Sequence, residues 1–194
     1  MKKLIVAGAI LAIIVIVIGI VAGGLFLWFM ETKNQLVASD EGVNTAWGNV
    51  QSAYQRRADL IPNLAKTVKA SAEFEKSLQT EVTAARAGIA KASTPAELEQ
   101  SGGALDRAIN VVFENYPEIK STENFLSLQD ELSGSENRIK VERDNYNKAV
   151  MGYNIKVRSF PSSIVAGWSN MKEKQYFGAS AGSENAPDVG ELLN

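Results

Sequence analysis

Neither cysteine nor histidine occurs in this chain of 194 residues. Without cysteine there is no disulfide, thiolate zinc site, iron–sulfur cluster or cysteine nucleophile, so stability has to come from packing. Cysteine-free chains occur in reducing and oxidising compartments alike, so this absence assigns no location. Without histidine the usual general base and commonest metal ligand near neutral pH are missing, and with them Ser-His-Asp triads and His-based zinc sites. Basic excess is missing too. The chain has 20 Lys and Arg against 22 Asp and Glu, and Lys2 and Lys3 stand ahead of everything else, so the remainder is net acidic. That argues against a phosphate-gripping surface, and no nucleic-acid partner is expected. Turn-rich segments of alternating polarity are also lacking, which leaves a helical reading of the whole.

The most prominent feature present is the stretch from Leu4 to Met30, which carries no charged side chain. As a helix it is roughly 40 Å long, at about 1.5 Å per residue, against an apolar bilayer thickness of about 30 Å. A cleaved signal peptide has a shorter apolar region and a small-residue cleavage site, whereas Leu25, Phe26, Leu27, Trp28 and Phe29 follow the glycines here. The reading is an uncleaved signal anchor over residues 1–30, with Trp28 at the far interface. Lys2 and Lys3 precede the span while only Lys33 follows it closely, beside Glu31, Asp40 and Glu41, and this bias puts the N-terminus in the cytoplasm and the remainder outside. Gly19 and Gly23 form a G-x-x-x-G pair, the candidate membrane helix contact, and Gly8 with Ala12 repeats the spacing. Glycine is also common in membrane helices that make no such contact.

Beyond Glu31 the apolar residues recur every three or four positions: Val43, Trp47, Val50, Tyr54; Ile61, Leu64, Val68; Leu78, Val82, Ala85, Ile89. This is a helical period. Thr94-Pro95-Ala96-Glu97 has the form of a capping box with a first-turn proline, opening a helix that buries Leu98, Leu105, Ile109, Val112 and Tyr116 and is weakened by Gly102 and Gly103. Phe125, Leu128, Leu132, Ile139, Tyr146, Tyr153, Val157 and Phe160 mark one long helix ending at Pro161. The expected fold is all-α: the membrane helix, then an antiparallel four-helix bundle over 31–177, then a disordered tail over 178–194. Around Pro62 two readings compete. Asp59 caps a new helix, which gives four helices and is favoured, or the apolar stripe continues through a kink. After Pro161, Ile164, Val165, Trp168 and Met171 share one side of a short helix. Ile164, Trp168 and Phe177 are the candidate interfacial residues, against the plainer reading of a cap on the bundle.

Several runs, taken as they stand, resemble the LemA family: Ala46-Trp47-Gly48-Asn49-Val50, Tyr54 through Leu64 with Arg56-Arg57-Ala58-Asp59, Tyr116-Pro117, Phe125 through Gln129, Tyr146-Asn147, Tyr153-Asn154 and Phe160-Pro161. The resemblance reaches from the anchor to Phe177. It implies a bacterial membrane protein with an extracytoplasmic antiparallel bundle and no established enzymatic activity. It also implies association by gene neighbourhood with membrane-bound zinc proteases and other envelope proteins, and relatives that take part in shaping membranes.

The residues themselves suggest a polar network at a helix junction, in which Arg56, Arg57 and Asp59 bridge to Glu114, Glu118 or Asp144. A partner-binding patch is the functional alternative. Ser169-Asn170-Met171-Lys172 has an S-x-x-K spacing and Ser135-Glu136-Asn137 mimics a second element of serine acyl-transfer enzymes, but Lys66-Thr67 is followed by Val68, not glycine. No phosphate-cradling G-x-x-x-x-G-K loop exists. No catalytic residue, cofactor or metal is therefore expected. The leading reading is a non-enzymatic membrane scaffold that touches lipid, forms a homo-oligomer or presents a surface to an envelope protein. The alternative is an adaptor or regulator of a membrane protease.

Overall fold

The computed structural model describes residues 2–67, 72–115 and 123–178. Five helices occupy most of them: α1 (Lys2–Thr67), α2 (Ala72–Lys91), α3 (Pro95–Asn115), α4 (Glu123–Arg158) and α5 (Ser162–Trp168), with no strand among the described residues. The fold is all-α, with one long apolar N-terminal helix. The expected disordered tail, apart from Gly178, lies outside the described residues.

One expectation fails at Pro62. Asp59 does not cap a new helix, because α1 runs through both residues as far as Thr67. The helix boundary falls after Thr67, not between Asp59 and Pro62. A proline inside a helix supplies no N–H to the carbonyl four residues back, which here belongs to Ala58. Arg86 on α2 compensates: its Nη2 reaches the Ala58 carbonyl at 3.4 Å and the Asp59 carboxylate at 2.6 Å. Ala58 and Ile61, the residues of the apolar stripe just before the proline, are both buried.

The chain divides into two compact units. One comprises Met1–Asn44 with Ala149–Lys174, the other Thr45–Lys148 with Gln175–Asn194. The second is the bundle, built from the later part of α1, from α2 and α3, and from the earlier part of α4. Val50, Ile61, Val82, Ile89, Leu98, Leu105 and Val112 are buried in it. Residue pairings fix the directions. Gln51 meets the Ile89 carbonyl while Asp59 meets Arg86, so α2 runs against α1. Trp47 meets Tyr146 while Arg57 approaches Glu136, so α4 also runs against α1. Gln51 further donates to the Ala92 carbonyl at 3.2 Å, supplying a partner at the C-terminal end of α2 where helical ones run out. The start of α3 is the expected one. Glu97 N–H donates to Thr94 Oγ1 at 3.3 Å, while the Glu97 carboxylate accepts from the N–H of Ser93, one residue before the usual capping-box partner.

In the first unit, Leu36, Val43, Val150, Tyr153, Val165 and Ala166 are buried, with Phe29, Val157 and Met171 packed against part of that core. α5 ends in a Schellman arrangement: Met171 N–H donates to Ala166 O, Asn170 N–H to Gly167 O, and Asn170 takes a left-handed φ of 53°. Phe160 does not complete the α4 stripe as expected. The helix stops at Arg158, so Phe160 leaves the helical phase and stands exposed.

Candidate functional site

In the bundle unit the extended segment after α5 ends in a clasp. Asn147 on α4 accepts the Phe177 N–H on Oδ1 at 2.9 Å and donates from Nδ2 to the Phe177 carbonyl at 3.1 Å. Tyr146 donates its hydroxyl to the Gln175 carbonyl, and Arg143 donates to that of Gly178. Phe177, a candidate interfacial residue by its sequence position, is turned inward and buried. The residue is 4 % exposed, and its ring lies 5.9 Å from that of Trp47 in a near-parallel stack and 5.2 Å from that of Tyr146 edge-on, with the Arg143 guanidinium 5.0 Å from the ring centre. Burial raises the pKa of the Tyr146 hydroxyl, which keeps it a neutral donor.

The first unit repeats the device with the second Tyr-Asn pair. Asn154 grips both backbone groups of Lys174 at 2.9 Å. The Lys174 ammonium reaches Asp40 at 2.7 Å and Asn44 at 3.1 Å and lies 5.6 Å from the Tyr153 ring centre. Both asparagines thus turn their amides onto the backbone of the segment that follows α5. Sequence reasoning flags the pairs but not their targets, since an amide's partner is not encoded in its own neighbourhood.

The arginine-rich run does not gather into one junction network. Arg57 pairs with Asp106 at 2.8 Å and lies 3.9 Å from Glu136, not with Glu114 or Asp144; Glu118 lies outside the described residues. Asp59 goes instead to Arg86 and to Gln55, and Arg56 lines a groove with Glu131, Arg138 and Glu142. The rotation of each helix about its axis decides these partners, and one sequence does not give it.

A polar groove of about 820 Å³ runs past Tyr54, Arg57, Asp106, Glu136 and Arg143. Burial raises the Asp106 carboxyl above its ordinary range despite the opposing pull of Arg57, with Glu136 adding to the rise. Arg57 is already engaged by this carboxylate, and Arg143 pairs with Glu99. The Ser135 hydroxyl is committed to the Leu132 carbonyl at 2.6 Å. Among the described residues no three metal-ligating side chains converge. Gly102, expected to weaken α3, has a packing role: the Tyr54 ring occupies the space where its Cβ would stand.

In the first unit, the apolar residues from Ile10 to Leu27 are exposed, and a Cβ built on Gly19 or Gly23 meets nothing within 4 Å. Ile164 and Trp168 point outward from α5, and the Trp168 ring lies 5.8 Å from that of Phe29.

Comparison with known proteins adds three relatives and a family. The model of the LemA family matches residues 46–190. The protein LemA of Metamycoplasma hominis is 25% identical over 176 residues, covering 88% of this chain and 80% of that protein. The magnetosome proteins MamQ 2 and MamQ 1 of Paramagnetospirillum magneticum are each 28% identical over 174 residues, covering 74% of this chain and 64% of theirs. The chain thus spans just under two thirds of the length of the two magnetosome proteins.

Proposed function

Since the chain belongs to the LemA family, we propose that it is a non-enzymatic, single-pass scaffold of the bacterial cytoplasmic membrane. The first part of α1 crosses the bilayer with its N-terminus in the cytoplasm. The bundle stands at the outer face, where it assembles with further copies or presents a surface to an envelope partner, and the proposed task is organisation of the membrane beneath it.

One observation carries the reading. α1 is long and apolar enough to cross a membrane, and none of its most apolar window is buried within the protein. Leaving such side chains in water costs about 1.5–3 kcal/mol each relative to burial, so a run of them requires lipid or protein around it. The open backbone face at Gly19 and Gly23 supports close packing of two such helices.

Because the native chain has no cysteine, a single one introduced as Thr80→Cys reports orientation. A membrane-impermeant maleimide should label it on intact spheroplasts. Labelling only after lysis would reverse the orientation. In mild detergent the protein should run as a defined oligomer whose size changes with Gly19→Leu plus Gly23→Leu, and a monomer indifferent to both removes self-assembly through this face. Crosslinking in native membranes should recover chiefly the protein itself. Recovery of a membrane protease would instead favour the adaptor role.

A further inference from the structure

Phe160, Ile164 and Trp168 are large apolar side chains exposed at 82 %, 47 % and 80 % respectively. They are not loosely held. α5 turns Val165 and Ala166 into the core, its Schellman ending fixes the chain beyond Trp168, and the Ser162 hydroxyl ties its start to the Lys156 carbonyl at 2.6 Å. A rigid support that presents three bulky apolar groups outward marks an interaction surface.

The height of that surface is set by an aromatic contact. The Trp168 ring packs at 52° against Phe29, and Phe29 is the next-to-last residue of the uncharged run that ends at Met30. The outward face of α5 is therefore held level with the end of the apolar part of α1. Arg158 and Lys172, both exposed, flank it. Arg158 lies 3.8 Å from Glu173, too far for a close hydrogen-bonded ion pair. Aromatic and aliphatic groups edged by cations, at the level where a span ends, have the chemistry of a lipid headgroup boundary.

We propose that the segment from Phe160 to Trp168 is an interfacial foot, resting in the bilayer that α1 crosses. Phe160, Ile164 and Trp168 enter the acyl boundary, and Arg158 and Lys172 lie among the phosphates. This rests on the membrane anchor proposed above and extends it: one spanning helix fixes neither rotation nor height at its exit, whereas a span with a foot beside it fixes both. The occupant is lipid and not a second copy, because the patch is continuous through Phe29 with the surface of the span itself.

The test uses the full chain in phosphatidylcholine–phosphatidylglycerol vesicles. Trp28→Phe with Trp47→Phe leaves Trp168 as the sole tryptophan; Trp47→Phe with Trp168→Phe leaves Trp28. The Trp168 emission should be blue-shifted. Lipids brominated near the headgroup should quench it more than lipids brominated near the terminal methyl, placing it about 5–10 Å below the headgroup boundary. Adding Phe160→Asp and Ile164→Asp should abolish that quenching while circular dichroism keeps its helical signal. A quenched Trp28 beside an unquenched Trp168 overturns the foot and leaves the anchor standing. A blue-shifted but unquenched Trp168 overturns it in favour of a protein neighbour. Loss of quenching at both tryptophans overturns the anchor as well.

Discussion

The side-chain amide of Asn147 pairs with both backbone groups of Phe177, as a neighbouring strand would, although the amide is on a helix and Phe177 is thirty residues further along. The backbone grip places the residue, and the aromatic ring then fills the space between Trp47 and Tyr146. The two contributions are separable. Phe177→Ala should destabilise the bundle by about 3–5 kcal/mol, the usual cost of emptying an aromatic site. Asn147→Ala leaves a backbone donor and acceptor without partners and should cost about 1–3 kcal/mol. Urea unfolding in detergent, followed by helical dichroism, measures both. An effect of either change inside experimental error would mean that the clasp is decorative.

Gly102 and Tyr54 interlock without a hydrogen bond, since the ring sits where a Cβ would be. Gly102→Ala gains helix propensity of about 1 kcal/mol but forces the buried Tyr54 ring aside, at about 1–3 kcal/mol for overpacking. The net expectation is destabilisation, reversed when Tyr54→Leu removes the aromatic edge. A double-mutant cycle on the unfolding midpoints should show a favourable coupling between the two changes. Simple additivity would mean that the ring has room to move.

The features legible in the sequence are local ones. The box from Thr94 to Glu97 announces the start of α3 because its donors and acceptors lie within four residues, and the stripe through Leu98, Leu105 and Val112 comes from periodicity alone. The apolar run of α1 is equally self-contained. The path of the chain at Pro62 is not legible, because Arg86 supports the freed carbonyl from another helix. Phe177 misleads for the same reason. An aromatic after a short amphipathic helix suits an interface, until Asn147 and Trp47, distant in sequence, claim it. The acidic partners of Arg57 differ from those expected because charge pattern gives a face but not the rotation of its neighbour.

Glu97 should give the α2–α3 turn an acid-sensitive component. Its carboxyl is held below the ordinary 4.5, chiefly by the Ser93 N–H and then by the Ser93 hydroxyl. A carboxyl whose folded value is depressed stabilises the fold above the unfolded value, and that contribution disappears as pH falls through the folded value. Asp106 works in the opposite sense, because burial raises it and protonation favours its folded form. Whole-protein melting therefore mixes the two. The difference between native protein and Glu97→Gln isolates one: it should favour the native protein at pH 7 and shrink as pH falls below 4.5. A difference that stays constant with pH would remove the carboxylate from the account.

Pro62 gives the sharpest test of how α1 is held. A proline in a helix interior costs about 3 kcal/mol relative to alanine, and part of that cost here is a carbonyl at Ala58 without its helical donor. Arg86 offsets part of it from α2, by a long hydrogen bond to that carbonyl and a short ion pair to Asp59. Pro62→Ala should restore the helical N–H and raise stability by about 1–3 kcal/mol. Arg86→Ala should lower it by about 1–2 kcal/mol, because the carbonyl and the carboxylate lose their shared donor. In the double variant the Arg86 loss should shrink, since the carbonyl no longer depends on it, leaving only the partly exposed pair with Asp59. Urea midpoints for the four proteins decide it. An Arg86→Ala cost that is the same with and without Pro62 would show that the arginine serves Asp59 alone, and that α1 passes the proline without help from its neighbour.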